Sequence, residues 1–499
     1  MRKLLFLLAF AFAAMLQAAD FVTESRWITA SEGDVNAQNT WIAFRKDITL
    51  GSIPMKVEAS IAAASKYWLW INGEMVVFEG QLKRGPTPKD TYYDKVDITP
   101  FLKKGNNEVA VLLWYFGKSG FSHNSSGKSG LLFSAQAIGL YSDSQWMSRI
   151  HPAYGTCGDP KPNGRLSESS IKYDGNKDLG EWQTGDIQSG FAASKEIGKA
   201  GSAPWNALVE RPTPLWKDFG IQEYVSIEKH EGAEVDTFYC KLPYNCHATP
   251  YLDVTAPAGK EIRMQTDHFM GGSEPNVRAE YVTKEGRQAY ESLGWMNGHT
   301  MIYQIPKGVE VKALKYRETG YNTEFTGTFT CNDDFLNRLR EKAVRTLYVT
   351  MRDTYMDCPD RERSQWWGDE VNELGEAFYA TDLRGHQLAH KGILELIAWQ
   401  RYDGVIFSPC PSGTRREELP AQMLASVGYY GFYTYYKYSG DGSFIPKVYD
   451  GMKRYLHEVW KTDADGLVIT RHGDWSWGDW GKNIDLDLLL NSWYYLALK

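Results

Sequence analysis

The sequence predicts a multidomain β-plus-α protein: two antiparallel β-sandwiches of jelly-roll type, then a run of helical hairpins. Three observations predict it. Short apolar runs of period two, separated by turns, extend from Trp27 to about Ala137 and again from Tyr224 to about Thr330. Asn72-Gly73 follows Tyr67-Trp68-Leu69-Trp70-Ile71 and signals a type I′ hairpin. At Asn332-Asp333-Asp334 the period changes to about 3.6, with an N-capping residue in place. With 499 residues the chain exceeds one hydrophobic core. The expected divisions are 1–19, 20–140, 141–215, 216–330 and 331–499.

Residues 1–19 have the form of a secretory signal: Arg2-Lys3, the apolar run Leu4 to Leu16, then Ala18-Ala19. The run is too short for a membrane span, and the expected location is secreted or periplasmic. In 20–140, strands are expected over Ile42 to Ile48, Val57 to Ala62, Tyr67 to Ile71, Met75 to Phe78, Tyr92 to Ile98 and Val109 to Phe116. Residues 141–215 are rich in Ser, Gly, Asp and Pro and read as a tail of the first sandwich plus an irregular connecting segment, without nameable chemistry. Alternation resumes in 216–330, most clearly over Val309 to Tyr316, and predicts a second sandwich. Trp295 there is either core or within reach of a ligand.

Six helices are expected in 331–499: Phe335 to Met351, Glu370 to Ala380, His386 to Trp399, Ala421 to Tyr438, Phe444 to Trp460 and Asp485 to Leu498. The last pattern runs into the final residue, as in a chain cut short.

The net charge of -7 disfavours nucleic acid and anionic membrane as partners. Aromatic residues make 14% of the chain, more than packing usually recruits, and carbohydrate surfaces are one use for them. Six cysteines are too few for a disulfide scaffold, although Cys240 and Cys246 are spaced to close a small loop. With His247 they lack a metal-binding spacing, so no metal or cofactor is expected. Cys358, next to Pro359 and without a nearby His, reads as a neutral packed thiol.

The densest chemistry lies at Asp357-Cys358-Pro359-Asp360-Arg361-Glu362-Arg363-Ser364-Gln365-Trp366-Trp367-Gly368-Asp369-Glu370, a loop between two helices. Two readings compete. A solvated ion-pair cluster needs no ligand. Carboxyls beside indole faces also suit sugar chemistry, because an oxocarbenium-like transition state needs an acid with a raised pKa and a second carboxylate.

The order Asp-Cys-Pro-x-Arg-Glu-Arg-x-x-Trp-x-Gly-Asp resembles the acid loop of bacterial α-L-rhamnosidases, inverting glycosidases on a six-hairpin α/α toroid. The resemblance implies that 331–499 form the first half of such a toroid and that the ligand is a rhamnose-containing glycoside or polysaccharide. It places Glu362 on the general acid and Asp357 and Asp369 on carboxylates that hold the sugar. It implies a general base in the half of the toroid not seen here. The Tyr67 to Gly73 strand resembles the family's accessory β-domain, either touching sugar or supporting the catalytic domain.

On this reading Glu362 stays protonated near neutral pH, desolvated by Trp rings and pushed upward by Asp357 and Asp369. Arg361 or Arg363 orients carboxylates or hydroxyls. Trp366, Trp399, Trp475 and Trp480 are candidate sugar platforms, and Asp403 and Asp474 bind hydroxyls or cap helices. A carbohydrate-binding protein without turnover, and a toroid glycosidase for another deoxy sugar or uronic acid, stay open as alternatives.

Overall fold

A computed structural model describes residues 20–83, 85–186, 190–476, 478 and 482–499. The expected signal segment and Trp480 fall outside them.

The first β-sandwich has two facing sheets. One runs Ala192–Ala193, Met147–Ile150, Thr40–Leu50, Gly105–Tyr115, Lys66–Ile71, Glu74–Gly80. The other runs Lys195–Lys199, Arg26–Thr29, Leu131–Ala135, Glu58–Ala63, Thr91–Asp97, Leu208–Glu210. Alternation sends Phe44, Leu69, Val111 and Ile61 into the core between the sheets. At the predicted hairpin Asn72 and Gly73 both have positive φ, 52° and 80°, as a type I′ turn requires.

The segment 141–215 supplies strands to both sheets of the first sandwich, as a tail of that sandwich should, but the remainder is not an irregular connector: Tyr154–Thr156 and Ile171–Asp174 join the second β block. Strands this short, spaced by Gly and Pro, show too little alternation to be seen in sequence.

The second block is a single ten-stranded sheet. Its long strand Val235–Ala256 pairs first with Met296–Pro306 and further along with Glu310–Gly320 and Gly286–Glu291. Cys240 and Cys246 are separate buried thiols on this strand, so the small disulfide loop does not form. Between the two β blocks lies an aromatic layer in which Trp41 stacks on Trp114 at 4.7 Å, joined by Trp68, Trp70 and Trp182. The Tyr67 to Trp70 side chains are all buried, which favours the supporting role for this strand over the sugar-touching one.

The helices are α1 (Asp334–Val349), α2 (Trp367–Ala380), α3 (Leu383–Ala398), α4 (Pro420–Val427), α5 (Phe432–Ser439), α6 (Ile445–Arg454) and α7 (Leu486–Leu498). Side chains of Asp333, Asp382 and Asp485 cap α1, α3 and α7. The fourth predicted helix is broken in two at Gly428–Gly431. A Cβ on Gly428 would stand 2.9 Å from the Ala497 Cα of α7, so the break lets α7 approach. Only the C-terminal end of α1 is buried; Phe335, Leu336 and Leu339 are exposed.

The first sandwich docks on the helical region through buried charges. Lys66 Nζ is 2.8 Å from Asp353 and 3.2 Å from Glu79, and Arg352 reaches Glu79 at 2.6 Å. Glu168 receives Lys83 at 2.8 Å and Arg363 at 3.1 Å. Burial pushes the Asp353 carboxyl up, but the Lys66 and Lys83 ammoniums outweigh it and leave it well below the ordinary carboxylate range. For Glu168, Lys83 and Arg363 overcome burial in the same way.

Candidate active site

The acid loop closes on itself between α1 and α2. The Asp357 amide donates to the Ser364 carbonyl (2.9 Å), the Ser364 amide donates to Asp357 Oδ1 (3.1 Å), and the Arg363 amide donates to the Cys358 carbonyl (3.2 Å). Turning this tightly puts Arg363 at φ 56°, a left-handed conformation that costs a non-glycine residue about 1–2 kcal/mol. Three acceptors hold it there: its guanidinium donates to the Pro359 carbonyl (3.0 Å), Glu168 (3.1 Å) and the Trp295 carbonyl (3.1 Å), and lies 3.5 Å over the Trp295 ring. Arg363 is therefore a buried strut and not a sugar-orienting group. Trp295 is core, between Arg363 and His247.

The turn presents Glu362 as a buried carboxyl, 5% exposed. Trp366 Nε1 donates to its Oε2 at 2.7 Å, and Arg361 and Arg165 reach its Oε1 at 2.9 and 3.5 Å. Arg361 thus takes the carboxylate-orienting role. Trp366 stands edge-on to Phe121 of the first sandwich, 6.4 Å between centroids, and is half-buried.

The carboxyl that the surroundings lift is Asp357. Burial and the Glu362 charge push it up to about 8, against the pull of the Ser364 amide. Asp369, in the first turn of α2, is raised by the same two causes, burial first. It is exposed at residue level, so solvent screens it more than Asp357. The Cys358 thiol is pushed up by burial and the Asp357 charge, as a neutral packed cysteine should be.

Asp357, Arg361, Glu362, Trp366 and Asp369 thus come together. Trp399 does not join them: it is 2% exposed, donates to the Gly85 carbonyl (3.0 Å) and packs with Phe407 and Cys410, so it is core and not a platform. Asp474 and Trp475 sit at Glu418, where Asp474 Oδ2 accepts from the Glu418 amide at 2.8 Å and its own amide donates back at 3.0 Å. Trp475 is exposed. Asp403 pairs with Arg401 and accepts from the Val405 amide, fixing a turn. The 408–412 loop underpins the acid loop, with Ser408 Oγ accepting from the Trp367 amide at 2.9 Å.

Sequence reasoning missed Phe121, Asn163 and Arg165. Asn163 donates to the Arg361 carbonyl at 3.1 Å, and Arg165 ion-pairs with both Glu362 and Glu274. These residues come from stretches with no local motif, and only long-range folding brings them to Glu362.

Fold and site together define a multidomain protein: β-rich N-terminal domains carrying a helical domain whose first long loop holds paired carboxyls. Residues 324–491 match the family profile described as the bacterial alpha-L-rhamnosidase 6 hairpin glycosidase domain. The chain is 22% identical over 515 aligned positions to an alpha-L-rhamnosidase of Formosa agariphila, covering 88% of this chain and 49% of that protein. The chain therefore spans about half the length of this curated relative. Among solved structures, a GH78-family rhamnosidase of a Bacillus species superposes with a TM-score of 0.80 at 15% identity, over 95% of this chain and 75% of that one. An alpha-L-rhamnosidase of a thermophilic Dictyoglomus gives 0.73 at 19%, over 95% and 56%. These two likenesses establish the fold.

Proposed function

We propose that this sequence belongs to an exported glycoside hydrolase that removes terminal α-L-rhamnose from glycosides or polysaccharides with inversion. The observation that carries the reading is the buried Glu362 carboxyl, bonded to the Trp366 indole and coupled to Asp357. Beside it Asp357, lifted by burial and by the Glu362 charge, holds a proton near neutral pH. Glu362 acts as the general acid on the glycosidic oxygen, the C1–O bond breaks, and water adds at C1 from the opposite face. The base that takes the water's proton lies outside the acid loop, about 6.5–9.5 Å from Glu362. Asp357 and Asp369 bind hydroxyls of the sugar.

The test is hydrolysis of an aryl α-L-rhamnoside by protein carrying this sequence, with proton NMR of the first product. Release of β-L-rhamnose is expected, and Glu362→Gln should lower kcat/KM by about a thousandfold or more, in line with loss of an acid and its electrostatics. Release of the α-anomer, or full activity in the Gln variant, would refute the assignment. The two guanidinium groups on Glu362 favour a second reading, carbohydrate binding without turnover. Saturable rhamnoside binding with no hydrolysis would select it.

A further inference from the structure

Asp267, His268 and His299 meet at one edge of the second β block. Their ligand-capable atoms all lie within 4.8 Å of one another, and the two imidazole rings are 5.5 Å apart between centroids. Asp267 follows strand Glu261–Thr266, and its Oδ1 accepts from the amides of His299 (2.9 Å) and Thr300 (3.1 Å), tying two strands together at the cluster. His268 Nδ1 is 3.1 Å from Asp360 Oδ2 in the acid loop.

That last contact separates the group from an ordinary exposed cluster of polar side chains. A histidine that binds a metal donates its other ring N–H to a carboxylate, which fixes the tautomer and raises the basicity of the ligating nitrogen. Nδ1 faces both Asp360 Oδ2 and, at 3.2 Å, the Asn297 amide nitrogen; in the tautomer that donates Nδ1–H to Asp360 the His268 lone pair is on Nε2. We propose that Asp267, His268 and His299 bind a divalent transition-metal cation of the zinc class, with Asp360 as the supporting carboxylate. Two imidazoles and one carboxylate suit a borderline cation better than calcium or magnesium, which prefer oxygen ligands throughout. Bonds of about 2.1 Å in a tetrahedral site set ligand atoms about 3.4 Å apart, so closure needs side-chain shifts on the order of 1 Å. Asp267 and His299 are exposed. Water fills the remaining position.

The site would act on the loop beside it. Asn276 Nδ2 donates to the His268 carbonyl at 2.7 Å, and Glu274 in the same segment ion-pairs with Arg165, which reaches Glu362. A bound cation fastens the 267–276 segment to the acid loop through Asp360. This inference does not depend on the hydrolase reading.

Titration calorimetry of zinc chloride into chelator-treated protein should show one saturable site. His299→Ala and Asp267→Asn should each weaken binding tenfold or more. Asp360→Asn, which touches the metal only through His268, should weaken it about 10–100-fold. His230→Ala removes an exposed histidine 2.6 Å from Glu228 outside the cluster and should change nothing. Circular dichroism of each variant confirms folding. No saturable zinc binding up to millimolar metal, binding that persists in all three cluster variants, or a preference for calcium over zinc would each overturn the proposal.

Discussion

Replacing Asp357 by Asn removes one titrating proton from the loop that presents Glu362 while keeping an acceptor for the Ser364 amide, 3.1 Å away. The folded carboxyl is pushed from the usual 3.8 up to about 8, first by burial and then by the Glu362 charge. A raised carboxyl means that between these values the native state holds a proton that the unfolded chain releases. Wild-type stability therefore falls as pH rises through that window, at up to about 1.4 kcal/mol per pH unit for one proton. The full gap of about four units sets a ceiling of about 6 kcal/mol, and solvent at a half-buried residue reduces it to on the order of 2–4 kcal/mol. The Asn variant stays neutral throughout and lacks this slope. Urea unfolding followed by tryptophan fluorescence at several pH values, wild type against Asp357→Asn, reads the effect as a difference, so other titrating groups cancel. The stability difference should move in favour of Asn by about 2–4 kcal/mol from pH 4 to pH 8. A difference that stays flat across this range would sink the raised proton affinity of Asp357.

Arg363→Met removes three hydrogen bonds and leaves Glu168 buried with Lys83 as its remaining cation, so a loss of about 3–5 kcal/mol is expected in thermal or urea unfolding. Trp366→Phe keeps a ring beside Phe121 but drops the bond to Glu362, and kcat/KM should fall about 10- to 100-fold with little change in Tm. Trp399→Phe should do the reverse, costing about 1–3 kcal/mol through the lost bond to Gly85 and the smaller volume while rhamnoside affinity stays unchanged. Asp353 is depressed by Lys66 and Lys83, so its contribution is present above the ordinary carboxylate pKa and lost as pH falls toward its folded value. Asp353→Asn should therefore be destabilised at pH 7, with the gap to wild type narrowing on acidification below about pH 4.

By itself the sequence determined the features that depend on near neighbours. The Asn72-Gly73 turn, the period change at Asp333, the capping aspartates and the acid loop from Asp357 to Asp369 are written in consecutive residues, because backbone preference and side-chain alternation act over a few positions. The choice of Glu362 as the central carboxyl rested on such a local motif. Tertiary structure decided which like residues do which work. Trp366 and Trp399 are the same residue type near helix ends, yet one bonds Glu362 and the other fills a core, since burial is fixed by elements far apart in the chain. Arg361 and Arg363 differ by two positions and face opposite ways because Arg363 is turned left-handed toward Glu168. Arg165, Asn163 and the Asp267, His268 and His299 cluster could not be read in advance. Their partners lie many residues away, and electrostatic coupling depends on distance and burial, which only the folded chain defines.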